Sequence, residues 1–128
     1  MDKVKGSDKL LSVEKPARYT GGELNSIVKE TARLRFALCF PDVYEIGMSH
    51  LGSRILYEVI NSREEYACER CFAPWPDMEK AMRENNVPMF TLETRTPLVE
   101  CDIVGFSLLY EMCYTNILTM LDLAHIHK

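Results

Sequence analysis

The chain has 128 residues, 47% of them hydrophobic and 27% charged, with a formal net charge of −4. That is room for one ordinary domain of globular composition, not two. The acidic balance argues against nucleic acid, which needs a basic face; no apolar run approaches the roughly 20 residues of a membrane span, and the polar opening MDKVKGSDKLLSVEK lacks a signal-peptide core, so a cytoplasmic protein is expected.

Residues 1–30 read as an N-terminal extension, loose or briefly helical to about residue 17, followed by the loop Arg18-Tyr19-Thr20-Gly21-Gly22-Glu23. The glycine pair marks a turn, expected to pack on the domain surface. Residues 31–128 read as one α/β domain. Leu34–Phe40 is a run of large apolar residues ended by Pro41, which has no N–H to continue a ladder; it predicts a buried strand. After a turn the apolar spacing changes to three and four at Leu51, Ile55, Leu56, Val59 and Ile60, which predicts a helix from about Ser49 to Asn61.

Arg70–Ala73 predicts a short second strand. Pro74-Trp75-Pro76-Asp77 opens a second helix, with Pro76 suited to its first position and Asp77 to its dipole. Asn85-Asn86 and Pro88 end it. Trp75 reads as an anchor of that turn. Met89–Leu92 predicts an edge strand, Asp102–Leu108 a buried strand, and the segment from about Tyr114 a last helix, with Tyr114/Leu118 and Ile117/Leu121 four apart. Alternation of strands and helices implies a parallel sheet with helices on both faces. Leu34–Phe40 and Asp102–Leu108 are expected side by side and parallel at its centre. Only about three core strands are present where a doubly wound domain has about five, so the chain reads as the first part of a larger domain, or as a truncated product, with one sheet edge open.

Five cysteines, Cys39, Cys68, Cys71, Cys101 and Cys113, are an odd number with no secretory signal, which speaks against a disulfide framework. Cys68-Glu69-Arg70-Cys71 is a CxxC without the second ligand pair that zinc requires, and it reads as two incidental thiols. There is no GxGxxG, no GxxxxGK[ST] and no CxxxCxxC.

In open α/β sheets ligands sit at the carboxyl ends of strands. Two turns should meet there. One carries Asp42, Tyr44, Glu45 and Gly47; the other carries Ser107, Tyr110 and Glu111. They offer acceptors, hydroxyls and a glycine that permits close approach, and no nucleophile–base pair with a histidine. His50 reads as a local partner at a helix start, Met48 as packing, and His125 and His127 as tail residues.

Asp42-Val43-Tyr44-Glu45-Ile46-Gly47 resembles the DxHxxG motif of cobalamin-binding domains, with Tyr44 in the histidine position, and Ser107-Leu108-Leu109 resembles the SxL that follows it. More specifically, RYTGGELNS, FPDVYEIGMSHLG, FAPWPDMEKAMRE and DIVGFSLLYEMCYTNIL resemble the N-terminal region of uncharacterised radical SAM proteins that carry a cobalamin-binding-like domain ahead of the catalytic barrel. The resemblance spans about residues 15 to 124. It implies a Rossmann-like domain of flavodoxin strand order, C-terminally incomplete here, and a cofactor site at Asp42, Tyr44, Glu45, Gly47, Ser107, Leu109 and Tyr110. It also implies an accessory role: positioning a corrinoid for a radical SAM barrel, in cis or on a neighbouring chain, or packing on that barrel as an interaction module. The [4Fe–4S] cluster and S-adenosylmethionine are implied for the full-length family. A chain without CxxxCxxC should not be catalytic alone. Because a neutral phenol is a poor cobalt donor, the resemblance implies a corrinoid without a histidine below it, or a lost cofactor.

Overall fold

The computed structural model describes residues 13–126; the sequence readings for residues 1–12 and His127 lie outside the described residues. Leu34–Phe40 forms β1, the middle of a three-stranded parallel sheet. Tyr66–Phe72 (β2) pairs along one side of it, from Leu34 opposite Tyr66 to Phe40 opposite Phe72. Ile103–Phe106 (β3) pairs along the other, from Phe36 opposite Ile103 to Cys39 opposite Phe106. The order β2-β1-β3 is that with which a flavodoxin-like sheet begins. The chain is therefore α/β and Rossmann-like, as expected.

Helices account for the rest: α1 (Ala17–Thr20), α2 (Tyr44–Met48), α3 (Leu51–Asn61), α4 (Pro76–Asn85) and α5 (Tyr114–Leu123). Right-handed crossovers place α3 on one face of the sheet and α4 and α5 on the other. The α4/α5 face holds the main core, where Ala37, Cys39 and Cys71 meet Met78, Met82, Met120 and Leu123. On the α3 face Leu38, Cys68 and Tyr57 form one cluster and Phe40, Phe72 and Leu92 another. Strand alternation sends Cys68 and Cys71 to opposite faces, so the CxxC is not a chelating pair. Val13 is buried against the main core, so the N-terminal polar segment is packed at least from that residue.

Three expectations are corrected. The second strand begins at Tyr66, four residues before Arg70, because its charged residues are buried by pairing rather than solvated. Glu69 is fully buried. It pairs with Arg35 and accepts hydrogen bonds from Thr91 Oγ1 (2.7 Å), from Thr94 Oγ1 and from the Thr94 amide (3.1 Å). Residues 89–92 are not a strand. They fold back on themselves through a single antiparallel bridge, Phe90 to Pro97, with Arg95 at positive φ. That loop still covers the outer edge of β2: Leu92 N donates to Arg70 O and Arg70 N to Glu93 Oε2, the protection an exposed edge requires. β3 lies beside β1 and parallel to it, but it is an edge strand rather than a central one, shorter than expected and half-exposed, because nothing described pairs with its outer side.

The helix expected at about Ser49–Asn61 is present as α3. Of the apolar positions that mark it as a helix, Ile60 packs on the sheet-side cluster, but Leu51, Ile55, Leu56 and Val59 do not bury against the sheet. Tyr57 and Asn61 do, and Asn61 bonds both the amide and the carbonyl of Cys68 (2.9 and 3.0 Å). Leu51, Ile55, Leu56 and Val59 are exposed. His50 caps the helix, its Nδ1 accepting from Ser53 N at 3.1 Å, as read from sequence.

Candidate functional site

β1 is where the strand order reverses, so the crevice outside β1 and β3 is the expected ligand position. Ser107 N donates to Cys39 O (3.1 Å) as the chain leaves β3. The two turns then meet. Tyr110 Oη donates to Asp42 Oδ2 at 3.3 Å, while Asp42 Oδ1 accepts from the amide of Val43 at 2.7 Å. Asn116, in the first turns of α5, donates to Pro41 O at 2.9 Å and ties the last helix to the end of β1. Asp42, Ser107 and Tyr110 thus lie together, with Leu109 exposed beside them. The group can accept and donate hydrogen bonds; it contains no activated nucleophile.

Tyr44, Glu45 and Gly47 belong to α2; Tyr44 and Gly47 turn toward Phe72 of β2, and Glu45 toward Arg18 of the N-terminal segment. The Tyr44 ring meets Phe72 edge-on at 5.6 Å. Its phenol is pushed up to about 12 by burial, then by a hydrogen bond to Glu23. Glu45 pairs with Arg18, whose Nε lies 2.9 Å from Oε1, and that hydrogen bond holds the Glu45 carboxyl below its usual range. Arg18 stacks on Trp75 at 5.1 Å, and Trp75 N donates to Tyr19 Oη at 3.1 Å. The RYTGG loop is therefore a strap across the end of the sheet. Gly21, at φ 69°, lies so close that a Cβ there would meet Leu92 O at 2.5 Å. At Gly47 a Cβ would meet the Phe72 ring at 2.1 Å, so the residue allows α2 to lie on that ring.

Sequence reasoning missed an apolar cavity of about 370 Å³ between α3 and the sheet, lined by Leu38, Phe40, Met48, Leu51, Ile55 and Phe72, with Arg70 at its wall. Arg70 lies over the Tyr57 ring (4.4 Å) and its Nε donates to Glu93 Oε1 (2.7 Å). Burial pushes the Glu93 carboxyl up against the pull of Arg70. The available signal was the Glu69-Arg70 pair inside an apolar strand followed by Thr91, Glu93, Thr94 and Thr96.

A corrinoid held by a lower histidine does not fit these residues. Position 44 carries a neutral phenol engaged with Phe72 and Glu23, and the space over Gly47 is filled by Phe72. Among the described residues no group of three His, Cys, Asp or Glu could hold a metal ion, and no helix is long and apolar enough to cross a membrane.

The protonation pattern makes a prediction. Burial pushes the Cys68 thiol up to about 12 and the Cys101 thiol up to about 11, and the Tyr44 phenol also stands near 12. Each group holds its proton more tightly folded than unfolded, so its contribution is complete below the unfolded pKa and is lost as pH rises through the folded one. The melting temperature is expected to fall steadily as pH rises from about 9 toward 12, as read by circular dichroism. A flat alkaline profile would contradict the burial of these groups.

No curated protein and no solved structure matches the chain. The family described as "Radical SAM proteins, N-terminal" matches residues 52–128, more than half of the chain and everything from α3 onward. The chain belongs to this family of radical SAM N-terminal regions.

Proposed function

We propose that the domain is an accessory module that docks on the catalytic barrel of a radical SAM protein, in cis or on a neighbouring chain. The cluster and S-adenosylmethionine would belong to that barrel. The supporting observation is the apolar edge beside the strand switch. Ile103, Leu108, Leu109, Met112, Tyr114 and Leu118 are each 43–75% exposed, on a strand, its following turn and the next helix. Contiguous exposed apolar surface of this kind marks an interaction site, and the open ladder of β3 adds unpaired backbone groups to it.

Asp42 and Tyr110 would orient the contact, and the RYTGG strap would hold α2 and α4 rigid behind it. In binding assays with the barrel, Leu109→Asp is expected to weaken association by about tenfold or more, since a buried interface position then carries an unpaired charge. Undiminished binding by Leu109→Asp and Leu118→Asp together would reject this surface.

A second reading is that the same crevice positions a corrinoid with no protein ligand below the cobalt. The flavodoxin-type order and the convergence of Asp42, Ser107 and Tyr110 at the switch favour it. Titration with hydroxocobalamin separates the two. A saturable change in the corrinoid spectrum, lost in Ser107→Val, supports the corrinoid reading; an unchanged spectrum leaves docking alone.

A further inference from the structure

On α3, Leu51, Ile55 and Val59 form a row four residues apart, 66%, 53% and 60% exposed, along the outer rim of the cavity between α3 and the sheet. Helical spacing of about 100° per residue puts a second row, Arg54 and Glu58, along one flank of the first. Both side chains are exposed, and neither makes an ion pair among the described residues.

We propose that this face of α3 binds a second copy of the chain, helix against antiparallel helix across a two-fold axis near Ile55 and Leu56. The charge order carries the argument. A two-fold contact is self-complementary: it brings each flank against the same flank of the other copy, running backwards. Arg54 of one copy then faces Glu58 of the other, and Glu58 faces Arg54, both pairs along one side of a seam of Leu51, Ile55 and Val59. Rows at four-residue spacing pack in the commonest helix–helix mode. A parallel arrangement would set like charges together, and an unrelated partner would have to carry the reverse pattern independently. The net charge of −4 per chain is a small repulsion to overcome. Since α3 lies on the β2 side of the sheet and the β3 edge lies beyond β1, this contact is independent of docking on the barrel.

The test is sedimentation equilibrium of the full chain and of variants whose folding is checked by circular dichroism. The wild type is expected to form dimers. Arg54→Glu and Glu58→Arg each set like charges together twice and should weaken dimerisation about a hundredfold, at about tenfold per opposed pair. The double variant, with the charges exchanged, should restore it to within about threefold. Ile55→Asp should abolish it, and Ile103→Asp on the other edge should leave it unchanged. A monomer at the highest concentration reached, a dimer indifferent to the single reversals, a double variant as weak as the singles, or a dimer broken by Ile103→Asp would each overturn the proposal.

Discussion

Glu69→Ala is expected to lower the unfolding free energy by about 3–5 kcal/mol, the cost of stranding a buried charge by removing its partner. The total stability of a domain this size is about 5–15 kcal/mol, so the variant should stand near the folding threshold. The reasons are local. The Arg35 side chain is 8% exposed and, among the described residues, would keep hydrogen bonds to backbone carbonyls alone, Lys29 O at 3.1 Å among them. Thr91 Oγ1, Thr94 Oγ1 and the Thr94 amide would lose the acceptor that holds the 91–97 loop on the sheet. With that loop goes the cover of the β2 edge. Urea denaturation measures the loss directly. A loss below about 1 kcal/mol would mean that the pair is solvated. Glu69→Gln, which keeps the acceptor but not the charge, should fall between the two.

Gly47→Val should be the second most damaging change, although the residue is on the end of a short helix. Its Cβ would meet Phe72 at 2.1 and 2.3 Å and Phe40 at 3.2 Å. Those rings are held by their own core cluster, so α2 must lift. Overpacking of this kind costs about 1–3 kcal/mol, a drop of roughly 4–12 °C in melting temperature for a domain of this length. Gly47→Ala should cost nearly as much, because the first carbon makes the clash. Alanine tolerated without a change in melting temperature would show that the rings are free to move.

How far the sequence was legible depended on whether local pattern and tertiary contact agreed. β1 was read to the residue and α4 from its first residue, because an apolar run ended by Pro41, and Pro76 at a helix start, need no partner to define them; Asn86, the left-handed cap of α4, lies within the Asn85–Pro88 stretch expected to end it. β2 was read from Arg70 only, and Tyr66–Glu69 was missed because Glu69 looks like solvated charge until Arg35, Thr91 and Thr94 surround it. The 89–92 segment looked extended but bends at Arg95, where no glycine announced positive φ. On α3 the period predicted a helix correctly and said nothing of which face the sheet would take; Tyr57 and Asn61 won it through hydrogen bonds to Ile27 and Cys68. The site divided in the same way. Parallel pairing of β1 and β3 brought Asp42 to Tyr110, whereas Tyr44 and Gly47 were drawn to Phe72 of β2 and Glu45 to Arg18 of the N-terminal segment, partners distant in sequence.

Hydrogen exchange of the isolated chain and of the same chain with its radical SAM barrel tests the accessory-module account most directly. The account predicts that residues 103–118 gain protection when the barrel is present, while the amides around Gly21 and Gly47, held by the strap in either state, change little. Unchanged exchange over 103–118, or new protection confined to the opposite side of the sheet, would contradict it.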